Sequence, residues 1–183
     1  MSQPSNLVVA GLGGQGVLTA TDIIADVALR AGFVVKKSEI KGMSQRGGSV
    51  ICEVRFGERI FSPMVPVGEA DFLVVLEPTQ LAPNRHLLRP GGPPPSPSPL
   101  PSREARGPGR GEGSCGVVID ASAIDESKLP NKKMLNVALL GALSAHLDLA
   151  EADWLAAIHD AFDEKFFAAN RDAFLLGRNN GKS

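Results

Sequence analysis

The feature that most constrains the fold is Gly11-Leu12-Gly13-Gly14-Gln15-Gly16, set between an apolar run and an amphipathic segment. Leu7-Val8-Val9-Ala10 before it is short, continuous and apolar, as a strand buried on both faces is. After it, Val17, Ala20, Ile23, Ile24, Val27, Ala28 and Ala31 recur at three- and four-residue spacing, the stripe of a helix lying on a sheet. Gly32 is placed to end that helix as a left-handed cap, and Phe33-Val34-Val35 begins a second strand. Residues 7 to 37 therefore read as one β-α-β unit. The expected fold class is α/β, a Rossmann-like, mostly parallel sheet with flanking helices.

The rest of the chain extends this plan. Ser49 to Phe56 alternates polar and apolar residues, and Gly57-Glu58 followed by Arg59-Ile60-Phe61 reads as a tight hairpin. Asp71 to Leu76 is a further buried strand, with Thr79 placed to cap a helix reaching Leu88. Val117 to Asp120 is another strand. Leu135 to Leu147 is apolar on nearly all sides and rich in small residues, the pattern of a buried, closely packed helix. A helix from Asp148 or Glu151 carries Trp154, Leu155 and Ile158. The last one carries Phe166, Phe167, Phe174 and Leu175, with Gly177 as its stop and a frayed tail from Arg178 to Ser183.

One stretch breaks the pattern where the sheet calls for a strand. Residues 93 to 116 hold seven of the 14 prolines, five glycines and four serines, with Leu100 the one large aliphatic residue. Such a segment buries too little surface to offset its ordering entropy, so it reads as a disordered, low-complexity insert in a single domain spanning residues 1 to 183. Its abrupt ends also suggest a local reading-frame error, which the other two frames of the coding DNA would decide.

Composition removes several function classes. The net charge is −1, so the chain has no global field for nucleic acid or an anionic membrane. Eight Phe, one Trp and no Tyr leave few stacking platforms for single-stranded nucleic acid. Cys52 and Cys115 are too few for a four-cysteine metal or iron–sulfur site, and Cys52 alternates with Val50, Val54 and Phe56 as a core thiol would. No basic leader or membrane-length apolar run appears, so a cytoplasmic location is expected. His86, His146 and His159 fall on expected helices with no acid or thiol pattern around them. No catalytic residue and no metal ligand is assigned.

Two glycine-rich loops carry the candidate chemistry. In the first, Gly11 permits a tight turn, Gly13 a close backbone approach and Gly16 close helix packing, the pattern of a dinucleotide-binding loop. Gly14 adds freedom, and the Gln15 amide can donate to a phosphate or hold a neighbouring backbone. A helix N-terminus there offers N–H groups and partial positive charge to an anion. A loop that is glycine-rich only for packing is the alternative. A plain NAD unit also wants an acid at the end of its second strand; Glu39 is available, but Lys36 and Lys37 precede it and favour a phosphate, unless they are simply solvated. The second loop holds Gly42, Gln45, Arg46, Gly47, Gly48 and Ser49. At the carboxyl edge of the sheet it would lie beside the first, with Arg46 presenting a bidentate fork to a carboxylate or phosphate, and it would also serve as the turn into the Ser49 strand.

Several segments in one order carry a family resemblance: GLGGQGVLTA, SEIKGMSQRGGSV, VRFG, SP before GEAD, LEP, LNVALLGAL, EKF and N-x-x-AF-x-x-G. Over about residues 6 to 92 and 117 to 178 the chain resembles the gamma domain of the 2-oxoacid:ferredoxin oxidoreductases, nearest to the beta subunit type of the indolepyruvate enzymes. The resemblance implies a subunit, not catalytic alone, of a complex that oxidatively decarboxylates a 2-oxoacid to an acyl-CoA with ferredoxin as acceptor. It implies thiamine diphosphate and iron–sulfur clusters on a partner alpha subunit, and CoA at the interface. Gly11, Gly13, Gly14, Gln15, Gly16, Gly42, Gln45, Arg46, Gly47, Gly48 and Ser49 carry over as cofactor- or partner-facing residues. Readings outside the family remain open: a stand-alone nucleotide-binding regulatory module, or an NAD(P)-dependent dehydrogenase.

Overall fold

Side-chain alternation along three central strands divides the core into two layers. In β1 (Ser5–Leu12), Leu7 and Val9 pack on one side and Val8 and Ala10 on the other. In β3 (Ser49–Gly57), Cys52, Val54 and Phe56 join the first side; in β4 (Phe72–Val75), Phe72 and Val74 do so, while Leu73 and Val75 face the second. The computed structural model describes residues 4–41, 47–90, 115–129 and 131–181. The proline-rich insert expected at 93–116 falls almost wholly outside them; Cys115 and Gly116 lead directly into β5 (Val117–Asp120).

With β2 (Val34–Lys41), these strands form one five-stranded sheet in the order β2-β3-β1-β4-β5. β1 pairs in parallel with β4, and β4 with β5, whereas β3 runs antiparallel to both β1 and β2. The expected β-α-β unit exists, but β3 lies between its two strands. The hairpin also differs from expectation. It joins β2 to β3, and no strand forms at Arg59 to Phe61. After Gly57 the chain crosses the second face of the sheet instead. Arg55 Nη1 donates to the carbonyls of Ser62 and Met64, both at 3.0 Å, and Val65 N–H donates to the Glu53 carboxylate at 3.2 Å. Those side chains hold the segment across the sheet, so its backbone is not aligned as a strand.

Helices cover the first face. The apolar stripe of α1 (Val17–Arg30) is buried as expected, and Gly32 takes φ 86° just beyond its cap. The expected helix from Thr79 to Leu88 is instead a broken run. Two 3-10 turns flank the four-residue α2 (Leu81–Asn84), and Thr79 caps nothing; Pro83 within the run cannot donate to a continuing helix. Further on come α3 (Leu135–Ser144), α4 (Glu151–Ala161) and α5 (Glu164–Asn180). Residues 136 to 144 of α3 are all buried, which explains why this helix is apolar around its whole circumference.

Helices α3 and α5 cross with their backbones touching. A Cβ on Gly141 would sit 2.0 Å from the Phe174 carbonyl oxygen, and one on Gly177 would sit 1.8 Å from that of Ala138. Gly177 is therefore a packing residue inside α5, and the helix runs on to Asn180. Arg178 is correspondingly not frayed. Its Nη1 donates to the Ser144 carbonyl at 3.1 Å, and its Nε lies 3.0 Å from Glu151.

Candidate functional site: the glycine loops and the adjoining cleft

The carboxyl end of β1 delivers the first loop to the sheet edge, and the β2–β3 connection arrives at the same edge because Ser49 pairs with Leu12. The two loops meet directly: the Gly13 N–H donates to the Gly48 carbonyl at 3.0 Å. Gly13 thus gives close approach to the second loop. Gly47 takes φ 67° there. Gly42, Gln45 and Arg46 lie outside the described residues, so the expectation for the Arg46 fork rests on sequence.

Within the first loop each residue has a distinct duty. A Cβ on Gly11 would come 2.8 Å from Val17 Cγ2, so this glycine lets the strand end pass under the helix start. Gly14 and Gly16 adopt φ 91° and 81°, a region that side chains rarely occupy. Gly16 is doubly constrained, because its Cβ would also meet Asn136 Nδ2 at 2.4 Å. The glycine therefore makes room for α3, in place of the strand packing expected of it. Gln15 holds a neighbouring backbone: its Oε1 accepts the Leu12 N–H at 2.8 Å, and its Nε2 donates to Glu77 at 3.0 Å. Both ends of the amide are committed to the fold. Gln15→Ala is expected to strip the Leu12 N–H of its acceptor and cost about 1 kcal/mol, read from the urea-unfolding midpoint.

Ser49 is likewise structural. Its hydroxyl donates to Gln80 Oε1 at 2.6 Å, tying the hairpin to the turn after β4. The two lysines of β2 do not reach the site. The strand continues past them to Lys41; Lys37 pairs with Asp22 of α1, and Lys36 Nζ donates to the Phe61 carbonyl at 3.1 Å. With β3 interposed, Glu39 stands two strand spacings, about 10 Å, from β1. This is not the neighbouring-strand position from which an acid reaches a ribose in a plain NAD unit.

Beside the first loop opens a cleft of ≈ 470 Å³. Gly14, Gln15, Gly16, Thr19, Lys133 and Asn136 line its polar part. Leu76, Leu135 and Phe162 make it apolar elsewhere. The starts of α1 and α3 both border the cleft; neither has a side-chain cap or an acid in its first turn. Sequence reasoning passed over Lys133 and Asn136, although a lysine just ahead of a buried helix is a usable signal. It also passed over Glu77, which follows β4 at the sheet edge where ligand-side residues gather.

The other titratable groups lie away from the loops. Burial pushes the Cys52 thiol up, consistent with an inert core cysteine. Hydrogen bonds to Asp160 and Glu164 hold exposed His159 above the ordinary imidazole range, and burial lowers His146. Burial also raises Glu53, which serves the crossing segment. Cys52 is sealed in the sheet core and Cys115 precedes β5, so the chain's own thiols do not suit an iron–sulfur cluster. Among the described residues no His, Cys, Asp and Glu side chains gather as a metal site, and no helix is long and apolar enough to cross a membrane.

The family model described as pyruvate ferredoxin/flavodoxin oxidoreductase matches residues 6–180, and the chain belongs to that family. Among its relatives, indolepyruvate oxidoreductase subunit IorB of Thermococcus kodakarensis is 48% identical over 87 residues, covering 48% of this chain and 43% of that protein. The same-named subunit of Archaeoglobus fulgidus is 51% identical over 75 residues, covering 41% of this chain and 37% of the relative. These matches thus span less than half the length of the curated relatives. In fold, the chain is similar to the gamma subunit of a keto/oxoacid ferredoxin oxidoreductase from Geobacter sulfurreducens, with a TM-score of 0.68 at 23% identity over 97% of this chain and 98% of that one. It is also similar to 2-oxoglutarate:ferredoxin oxidoreductase from Magnetococcus marinus, solved with 2-oxoglutarate, coenzyme A and succinyl-CoA bound. There the TM-score is 0.73 at 21% identity, over 100% of this chain and 32% of that one.

Proposed function

We propose that this chain is the cluster-free small subunit of a 2-oxoacid:ferredoxin oxidoreductase acting on arylpyruvates, with indolepyruvate as the type substrate. The partner alpha subunit would carry thiamine diphosphate and the iron–sulfur clusters, and would perform the decarboxylation and electron transfer to ferredoxin. The single observation that carries the reading is the Gly13-to-Gly48 hydrogen bond, which welds the two family loops into one surface at the carboxyl edge of the sheet. In this reading the surface meets the partner and helps close its active site over CoA. Arg46, carried on the second loop, supplies the cation for a CoA phosphate.

A second feature supports a subunit. On the segment crossing the second sheet face, Phe61 is 83% exposed and Val67 71% exposed. Large apolar side chains left out in a row suit burial by another chain. The substrate-binding side chains would lie mostly on the partner.

The test is kinetic. In the assembled complex Arg46→Ala should raise the KM for CoA about tenfold, the loss of one charge-assisted hydrogen bond, while thiamine binding stays intact. Unchanged CoA kinetics would remove the anion role and leave a purely interfacial one. Calorimetry with NAD and NADP addresses the dehydrogenase and regulatory-module readings, both of which require micromolar binding by the chain alone.

A further inference from the structure

We infer that the segment crossing the second sheet face is a docking surface for an acidic protein, at the end of the sheet away from the glycine loops. The long helices cover the first face, so this segment forms an outer layer of the second. It leaves large apolar side chains outward: Phe61 is 83% exposed, Val67 71% and Met64 56%. Apolar side chains gathered in one patch, instead of scattered singly, mark an interaction site. Three cations stand beside them. The Arg59 guanidinium lies 5.7 Å from the Phe61 ring centroid, Lys36 Nζ donates to the Phe61 carbonyl, and Arg55 Nη1 donates to the carbonyls of Ser62 and Met64. None of the three pairs with a carboxylate among the described residues. Of the acids next to them in sequence, Glu53 is buried and accepts the Val65 N–H, and Glu58 is exposed but bonded to none of them.

The charge selects the occupant. Backbone carbonyls do not neutralise a cation, so the patch combines an apolar centre with an unanswered positive rim. An apolar surface with an acidic rim complements it. A second copy of the chain would bring the same net-positive patch against itself. Three cations also fall short of the roughly four to eight that a basic lipid-binding cluster uses. The bonds from Lys36 and Arg55 fix the segment's carbonyls, so the platform is formed before a partner arrives. Lys36, Arg55 and Asn6 share one row across β2, β3 and β1, whereas the first loop leaves β1 at Leu12; the stretch between spans about 20 Å. The surface is thus separate from the loop edge and goes beyond the subunit reading, since an acidic partner suits it whether or not that partner carries thiamine diphosphate.

The experiment is titration of the purified full chain, followed by amide NMR, with a short synthetic peptide of alternating glutamate and leucine. The matching lysine-and-leucine peptide is the control. The acidic peptide should shift the amides of Lys36, Arg59, Phe61, Met64 and Val67 and leave those of Gly13 and Gly48 in place. Its binding should weaken as salt rises from low to physiological, and the basic peptide should not bind. Arg59→Glu, at an exposed position, should weaken the acidic peptide about tenfold or more by reversing one charge. Phe61→Ser should weaken it about tenfold by removing the apolar centre. With Phe61 already 83% exposed, its thermal midpoint should hold. No shift on the segment, equal binding of the two peptides, or wild-type affinity in both variants would each overturn the assignment. So would a concentration-dependent dimer in sedimentation that Phe61→Ser abolishes, which means a second copy. Binding to phosphatidylglycerol vesicles in place of the peptide would overturn it in favour of a membrane.

Discussion

Gly177→Ala should cost about 3 kcal/mol or more and lower the thermal midpoint by roughly 6–12 °C, the largest effect expected of any single methyl added to this chain. The added Cβ would lie 1.8 Å from the Ala138 carbonyl oxygen and 2.7 Å from its carbonyl carbon. Those are backbone atoms inside a fully buried helix, so no rotamer change relieves the contact. The α3–α5 pair must separate, and the buried contacts of Trp154 and Phe174, whose rings stack at 5.8 Å, loosen with it. Gly141→Ala presses on the same crossing from the other side, 2.0 Å from the Phe174 carbonyl oxygen. Once the helices have moved apart for one methyl, the second has room. The double variant should therefore lose less than the sum of the two single losses. Urea unfolding of the three variants measures this. A midpoint within about 2 °C of wild type for Gly177→Ala would mean the helices do not cross as described.

Gly16→Ala should cost about 2 kcal/mol and also disturb the cleft. Two causes add. At φ 81° an alanine takes a left-handed conformation, and its Cβ then meets Asn136 Nδ2 at 2.4 Å. The amide must swing away, which reshapes the cleft it lines. Gly14→Ala is the internal control. Its φ of 91° carries the same backbone cost, but a Cβ there meets nothing within 4 Å. It should lose about 1 kcal/mol and leave Asn136 in place. Equal losses in the two variants, by thermal unfolding, would show that the Asn136 contact contributes nothing.

The strands at Leu7, Phe72 and Val117 and the α1 stripe were legible in the sequence because periodicity and glycine punctuation are local signals. The position of β3 was not. Placing it between β1 and β2 depends on long-range pairing, which alternation within one strand does not encode. Gly177 was misread for a related reason: a glycine near a helix end looks like a stop, and the demand for it comes from Ala138, far away in sequence. At the site, the meeting of the two loops followed from the α/β plan. The duties within the loops did not, since Gln15 and Ser49 turn to Glu77 and Gln80, which arrive from the end of β4. Asn136 was hidden inside an apolar helix that reads as pure core.

As the proposed subunit of a larger complex, this chain should perform no bond chemistry alone. The most direct test is to produce the chain together with the proposed thiamine- and cluster-bearing partner, determine the mass of the product in solution, and assay arylpyruvate-dependent ferredoxin reduction with and without the chain. The prediction is a stoichiometric complex in which CoA-dependent turnover requires this chain, while the chain by itself reduces nothing. A partner fully active without it, with this chain migrating as a separate species, would contradict the account.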